Sequence, residues 1–459
     1  MFDLSRRKNN SSFGILLVLV LLVGASLYVY FSATFERVAP EIVMKNNNGY
    51  WNLKKPLSIK MSDASGIQYY KITMHTKNGD KTLQYEQLLT PKKEMILEVE
   101  PPRGAFTMKD KEVTLVVEAQ DVSKWNFLKG NMNQKVFQLK IDKKRPRVTI
   151  VNNSYKISRG GSALVVFRVK DKNIDDIYIL SNHNKHFKAE PFYKEGYYIA
   201  LLAWPVKDDG FKATVIAKDF AGNITKAYVP LYLKNKKYRV SKIRLSDKFL
   251  NGKIYNLAED FEETQGVDDK LEQFKIINED VRKKNEDLIH KLTSEVPQEM
   301  ISDFKVNRMY PLKNGAVVAH FGDHRKYYYH GKLISEAYHL GLDMASHSMA
   351  PIVTQNGGNV VFADFNGLYG NMPVLSHGLG LYTLYGHCSS VDVTKGENVP
   401  PNSKIANTGK TGYAMGDHLH FGVLVQGIEV RPQEWMDKKW IKLNISDIIK
   451  KAKKIIDEQ

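Results

Sequence analysis

Apolar and polar positions along the 459-residue chain follow four successive patterns. The first is an unbroken apolar run, "FGILLVLVLLVGASLYVYF", covering the 19 residues from Phe13 to Phe31 without a charge. At 1.5 Å rise per residue, a helix of that length reaches across a bilayer core of about 30 Å. From Val38 to about Lys236 the period drops to two, in short segments bounded by turn residues, which predicts half-buried β-strands. Between Leu245 and Leu292 the period lengthens again. "LSDKFLNGKIYNLAEDF" offers Ser246 or Asp247 as a cap, followed by Phe249, Ile254, Leu257 and Phe261. "VDDKLEQFKIINEDVRKKNEDLIHKL" then places Leu271, Phe274, Ile277, Val281, Leu288 and Leu292 at i+3, i+4 and i+7 spacings. Two amphipathic helices follow, with too few heptads for a secure coiled coil, so packing on a neighbouring domain is expected. Beyond Tyr310 the chain is strand-rich again, in "NVVFADFNG", "NMPVLSHG" and "LYTLYGH", and punctuated by glycine.

The β-rich stretch carries a faint internal duplication. "APEIVM" (from Ala39) echoes "RPRVTIV" (from Arg145), "PLSIKMSD" echoes "ALVVFRVKD", and "EVTLVVEAQD" echoes "KATVIAKD". Each copy spans about 100 residues with strands at sandwich-like spacing. "AKDFAGNITKAYV" resembles the hairpin between the last two strands of many bacterial immunoglobulin-like domains. Two immunoglobulin-like β-sandwich units are therefore expected, at 38–143 and 144–236. Neither shows a catalytic constellation, which leaves spacing, partner binding or covering of a site as their roles. His183 and His186 in "SNHNKHFK" are expected in an exposed loop.

Chemistry concentrates further along. Nine of the thirteen histidines lie between His320 and His420. His418 and His420 are two apart and leave one face of a strand; His339 and Asp343, four apart, also share a face. Gly341 between the latter argues for extended backbone rather than helix. Two imidazoles and one carboxylate make a three-ligand set that leaves a tetrahedral zinc one open position, the pattern of a catalytic metal. With a single cysteine, a thiolate-rich structural zinc site is excluded.

The ordered trio "HLGLD" (His339–Asp343), "LYGHCS" (Leu384–Ser389) and "GDHLHFGV" (Gly416–Val423) resembles the lysostaphin/LytM-type zinc endopeptidases of peptidoglycan. The resemblance extends from about Tyr310 to Trp440 and includes "NTGKTGYAMGDHLHFGV". It implies that His339, Asp343 and His420 hold zinc while His387 and His418 act as uncoordinated catalytic histidines, one as general base and the other on the oxyanion, without fixing which does which. It also implies an antiparallel β-roll. Cys388 and Gly422 stand where leucine and glutamate are usual, but neither belongs to the implied ligand set. His320, His324, His330, His347 and His377 match no motif position and are expected at the surface or in packing. "FGDHRKYYYHG" (Phe321–Gly331) reads as a rim loop offering tyrosines to substrate, or else as a strand with those tyrosines half-buried.

The expected fold is thus mainly β: an N-terminal transmembrane helix (13–31), two sandwiches, a helical connector (245–300), a peptidase domain (301–442) and a C-terminal helix (443–459). "EWMDKKWI" and the lysine-rich "ISDIIKKAKKIIDE" are expected to close the peptidase domain, with a membrane-surface role for that helix second to packing. Arg6, Arg7 and Lys8 precede the apolar run, so the positive-inside rule keeps a 1–12 tail cytoplasmic. A cleaved signal peptide, with "VGA" at Val23–Ala25, competes with this reading. Apolar residues continuing through Tyr28 and Phe31 favour a retained anchor. The expected location is the bacterial inner membrane, single pass, with the catalytic domain in the periplasm.

Net charge of +17 and a pI near 9.4 change the picture least. The lysines are spread along the chain and match no nucleic-acid motif, so no nucleic acid partner is expected. Attraction to the carboxylates of peptidoglycan stem peptides fits the charge, as does a plain solvated surface. The implied activity is hydrolysis of peptide cross-links in wall remodelling and cell shape, with Zn2+ as cofactor and wall-remodelling proteins as further partners. An anchored protein facing the wall favours the host's own cross-links over those of competitors; D-Ala–diaminopimelate is the expected bond, though composition does not separate it from a glycine bridge. The alternative is a catalytically silent scaffold or regulator of other wall hydrolases.

Overall fold

The structure is a computed structural model that describes residues 11–45 and 47–459; Arg6, Arg7 and Lys8 lie outside the described residues. The fold is mainly β, with one N-terminal helix, Ser11–Phe31, long and apolar enough to cross a membrane. None of that helix's apolar window is buried against protein, as lipid-facing side chains require.

The chain divides into two compact units, 1–145 with 218–223, and 146–217 with 224–459. In the first, six strands join through their hydrogen bonds in one sheet. Its spine is the strand Leu57–Thr76. One edge of the spine pairs with Glu41–Met44 and then Glu112–Asp121, and the other pairs along its length with Gly79–Val99. The pairing slips between Ser62 and Ile67, where Gly66 takes a φ of +105° that a side chain would resist. The sheet encloses a core of Trp51, Ile59, Met61, Ile67, Ile72 and Leu115.

The second unit opens with two four-stranded sheets. Val-rich Ser162–Lys170 and Tyr197–Ala203 lead one, Ile174–Ser181 and Ala213–Asp219 the other. Phe167, Ile199 and Leu201 meet Ile179 and Val215 in one core. That core does not stop at the expected border near 236. It continues through Leu342, Phe421, Val423 and Trp435 to Ile448 and Ile456. Backbone hydrogen bonds cross the same joint, Ile301 N to Pro191 O (3.0 Å) and Tyr193 N to Ile301 O (2.9 Å). Ser162 N also donates to Oε2 of the buried Glu434 (2.9 Å). The C-terminal helical run, 438–457, buries Ile448, Ile449, Ala452 and Ile456. Asn152 Nδ2 donates to Ile448 O (2.9 Å) and Ser154 Oγ to Asn444 O (3.0 Å), so this amphipathic helix packs on the sandwich.

The connector forms two helical runs, 247–258 and 270–292. Ser246 caps the first, its Oγ accepting from Phe249 N (3.2 Å), and Asp269 caps the second through Leu271 N (2.8 Å). Phe274, Ile277, Val281 and Ile289 point down onto Leu368, Met372 and Leu384, so the second run covers one face of the C-terminal sheet. That sheet has eight strands, antiparallel throughout. Ala316–Ala319, Leu342–Ala345, Leu419–Val425, Leu381–Gly386, Asn371–Ser376, Gly358–Phe365 and Asn398–Val399 follow one another, and Ile428–Val430 lies beside Leu419–Val425. The Phe321–Gly331 segment is not a rim loop. His324–Tyr329 is a strand, and alternation turns Tyr327 inward to pack on Phe274 (ring centroids 5.1 Å apart).

Candidate active site

The site is built by strand register. Leu342–Ala345 pairs with Leu419–Val425 so that Asp343 stands directly opposite His420. Directly opposite residues in an antiparallel pair project to the same face. On the other side of Leu419–Val425, Gly386 is opposite His420. The next residue, His387, therefore emerges beside the pair. It does so with a φ of +65°, uncommon for a residue with a side chain and of the kind that collects at functional sites. His339 arrives just before Leu342–Ala345, and Gly341 leaves the room for the partner ring: a Cβ there would stand 2.4 Å from His420 Nε2.

The five residues singled out from sequence come together. His339 Nε2 lies 3.0 Å from Asp343 Oδ1 and 3.2 Å from His420 Nδ1, and His420 Nδ1 lies 2.8 Å from the same Oδ1. His339 Nδ1 sits 2.9 Å from the carbonyl of His320. A carbonyl only accepts, so the proton is on Nδ1 and the Nε2 lone pair faces the cluster. Two imidazole nitrogens and a carboxylate oxygen thus converge within 3.2 Å of one another, a donor set that a divalent metal satisfies. Burial alone would raise the Asp343 carboxyl, but His339 and His420 hold it well below its ordinary range. Burial lowers His420, opposed by Asp343.

The other two histidines flank this group. The ring of His387 is 4.8 Å from that of His418 and 5.8 Å from that of His420. Its Nδ1 lies 2.8 Å from Thr411 O, so Nδ1–H is donated and Nε2 is left as the acceptor. Burial, with His420 and His418 beside it, pushes its pKa down to about 3, leaving it neutral at ordinary pH. His418 Nδ1 is likewise 2.8 Å from Gly416 O, with Nε2 3.8 Å from Asp343 Oδ2. The remaining histidines do other work. Half-buried His377 spans Gly357 O (2.8 Å) and Thr383 Oγ1 (2.7 Å), His324 stacks on Tyr338, and His347 is exposed. His186 stacks on Tyr178, and His183 Nε2 meets Gly210 O at 3.2 Å.

The histidines lie in a cleft of about 970 Å³. Part of its wall has no counterpart among the expected elements. Val240–Arg244, just before the connector, pairs in parallel with His324–Tyr329, and Ser241 Oγ donates to Asp323 Oδ1 (2.7 Å). With Arg239, Lys242 and Arg244 from this segment, Arg282 from the long helix, and Arg325, the wall is basic. Tyr369, fully buried, sets its ring edge-on to His420 at 5.4 Å. The alternation in "YRVSKIRL" was the available signal for the wall strand, but it is too short to separate from a linker.

Comparison with known proteins agrees with this geometry. Residues 337–432 match the model of Peptidase family M23. The DD-carboxypeptidase/endopeptidase Mpg of Neisseria meningitidis serogroup B is 34% identical over 94 residues, 20% of this chain and 22% of that protein. The peptidoglycan DD-endopeptidase ShyA of Vibrio cholerae is 36% identical over 89 residues, 19% of this chain and 21% of that protein. The chain thus spans about a fifth of the length of these curated relatives. Among solved structures, the catalytic domain of lysostaphin from Staphylococcus simulans is 25% identical, with a TM-score of 0.23, covering 27% of this chain and 93% of that one.

Proposed function

Because residues 337–432 carry a Peptidase family M23 domain, we propose that this protein is a membrane-anchored zinc endopeptidase that hydrolyses peptidoglycan cross-links, with D-Ala–diaminopimelate as the bond cut. The observation that carries the proposal is the convergence of His339 Nε2, Asp343 Oδ1 and His420 Nδ1, with His387 and His418 alongside at the floor of an open cleft. The three convergent atoms would hold the ion. Zinc bound there supplies Lewis acidity, bringing the pKa of water to about 7 and polarising a peptide carbonyl.

The chain's own residues supply the rest. His387, neutral and with Nε2 free, takes the proton of the attacking water and later delivers it to the leaving amine nitrogen. Thr411 O fixes the tautomer that this requires. His418, oriented by Gly416 O, presents Nε2 to the other side of the site, beside the oxygen on which negative charge develops. The basic wall of Arg239, Lys242, Arg244, Arg282 and Arg325 faces the carboxylates of the stem peptides. The Phe13–Phe31 span, with Arg6, Arg7 and Lys8 before it, supports a reading in which this chemistry faces the periplasm from the inner membrane.

The test is to incubate full-length protein with purified muropeptide dimers cross-linked through D-Ala–diaminopimelate. Conversion to two monomers with addition of one water per bond is expected by mass spectrometry. Intact dimers alongside cleavage of a glycine-bridged substrate would show that the bond is a different one.

A further inference from the structure

In the first compact unit, the chain leaving the membrane helix is tied to one loop of the sheet, 121–131. Lys124 N donates to Thr34 O (2.8 Å), three positions beyond the helix end at Phe31. The Arg37 guanidinium lies 4.1 Å from the ring centre of Tyr30, in the helix, and 4.7 Å from that of Trp125, in the loop. The base of the loop is closed firmly. Asp121 Oδ1 accepts from Ser123 N (3.0 Å) and Asn131 N (2.7 Å), and Oδ2 accepts from Asn131 Nδ2 (2.7 Å). Ser123 Oγ (2.6 Å) and Asn131 Nδ2 (2.9 Å) both donate to Glu36 O, binding the loop to the segment that follows the helix. Gly130 permits the closure, with φ +81° and only 2.7 Å between a built Cβ and Asp121 O.

On this fixed base the tip is built against the rules for a loop in water. Phe127 is 95% exposed, Leu128 72% and Trp125 37%. Asn126, Phe127 and Leu128 have φ of +55°, +57° and +67°, three non-glycine residues in succession in the left-handed region. That conformation costs energy at each residue, and here it leaves Phe127 and Leu128 largely exposed. Lys124 and Lys129 bracket the apolar tip. Tryptophan at the interface, apolar residues beyond it and lysines at phosphate level are the composition of a segment lying in a bilayer surface.

We propose that Trp125–Leu128 inserts into the leaflet from which the Ser11–Phe31 helix emerges, giving the first unit a second attachment to the same membrane. The occupant is lipid and not a protein groove, because the tip is held within a few residues of where the span leaves the bilayer. The inference rests on the reading of Phe13–Phe31 as a retained span.

Cys388, the one cysteine, is fully buried, so a nitroxide can be placed at chosen sites. Full-length Phe127→Cys, Leu21→Cys and Leu89→Cys proteins would be labelled and reconstituted in phosphatidylethanolamine/phosphatidylglycerol vesicles. Collision with dissolved oxygen and with a water-soluble nickel chelate would be read by power saturation. For Phe127→Cys, as for Leu21→Cys in the span, oxygen collisions are expected to exceed nickel collisions several-fold. Leu89, on the exposed Gly79–Val99 strand, should show the reverse. A Phe127 label as open to nickel as the Leu89 label would overturn insertion. Low collision with both reagents would overturn it too, by showing protein and not lipid over the tip. Nickel access at Leu21→Cys would instead remove the span, and the inserted tip with it.

Discussion

The two compact units are both β-rich, yet they close their cores differently. The first draws its buried core from residues between Ile42 and Leu139. The second runs one continuous core from Ile157 in the sandwich to Ile456 in the C-terminal helix. Chemistry sits in the second kind. Asp343 and His420 lie on strands, with the other three site residues at strand ends. The sandwich joint and the helix that closes the chain pack the far face, and the 270–292 helical run covers the site's own face beside it. The cleft wall likewise comes partly from Val240–Arg244, well outside the 337–432 segment that the family model matches. A border drawn from strand periodicity therefore marks repeats, whereas the shared core marks what folds together.

The largest difference should appear at the site. His339→Ala is expected to lose both bound zinc and activity, by about 10³-fold or more. His387→Ala should keep the metal while losing about 10²–10⁴-fold in rate. Metal content by mass spectrometry beside dimer cleavage checks both, and zinc retained in His339→Ala would refute the ligand assignment.

Next comes the contrast between cores. Phe192, fully buried at the joint and bridged to Ile301, lies in the sandwich and far in sequence from any ligand. Phe192→Ala should destabilise the zinc-dependent unfolding transition by about 3–5 kcal/mol. Ile59→Ala in the first unit should cost about 2–5 kcal/mol in a separate transition that zinc does not move. A zinc-dependent transition unmoved by Phe192→Ala would dissolve the contrast.

A smaller effect lies in the same joint. Burial pushes the Glu434 carboxyl up to about 7 from 4.5, opposed by its hydrogen bond from Ser162 and by Arg431, Lys156 and Lys236. The folded state prefers it protonated, so its contribution is complete below about pH 4.5 and is lost as pH rises through about 7. Glu434→Gln keeps an acceptor for Ser162 N and should remove a slope on the order of 1–3 kcal/mol across that window. Thermal melts of both proteins from pH 4.5 to 7 read it directly, and parallel slopes would exclude Glu434 as the source.

The smallest effect belongs to the wall. Exposed Arg244→Gln should raise KM about two- to fivefold for a carboxylate-bearing dimer with kcat unchanged. Added salt should shrink the difference.

What could be read from sequence follows from how local each cause is. The candidate site was legible through its three ordered motifs and the family resemblance they carry; spacing alone pairs His418 with His420 and His339 with Asp343. Asp343 and His420 need one strand pairing to meet, and Gly341 between His339 and Asp343 already spoke against a helix. The connector helices were legible from local spacing, down to the Ser246 cap. The long-range features were not. Nothing in the spacing of Leu57–Thr76 says that one strand will serve two partners along one edge and so link six strands into one sheet. Nor does the chain show that Val240–Arg244 will add itself to His324–Tyr329, a parallel pairing settled by tertiary packing. Tyr327 was ambiguous between display to substrate and burial, and the answer came from Phe274 on a helix some fifty residues earlier.

The most direct measurement is digestion of isolated sacculi by the detergent-solubilised full-length protein, before chelation, after it, and after zinc is restored. Cross-linked muropeptides would be followed by mass spectrometry. Loss of dimers that chelation stops and zinc restores is the expected result. Dimers that persist with zinc bound, or that disappear equally well after the metal has been removed, would contradict a zinc endopeptidase acting through His339, Asp343 and His420.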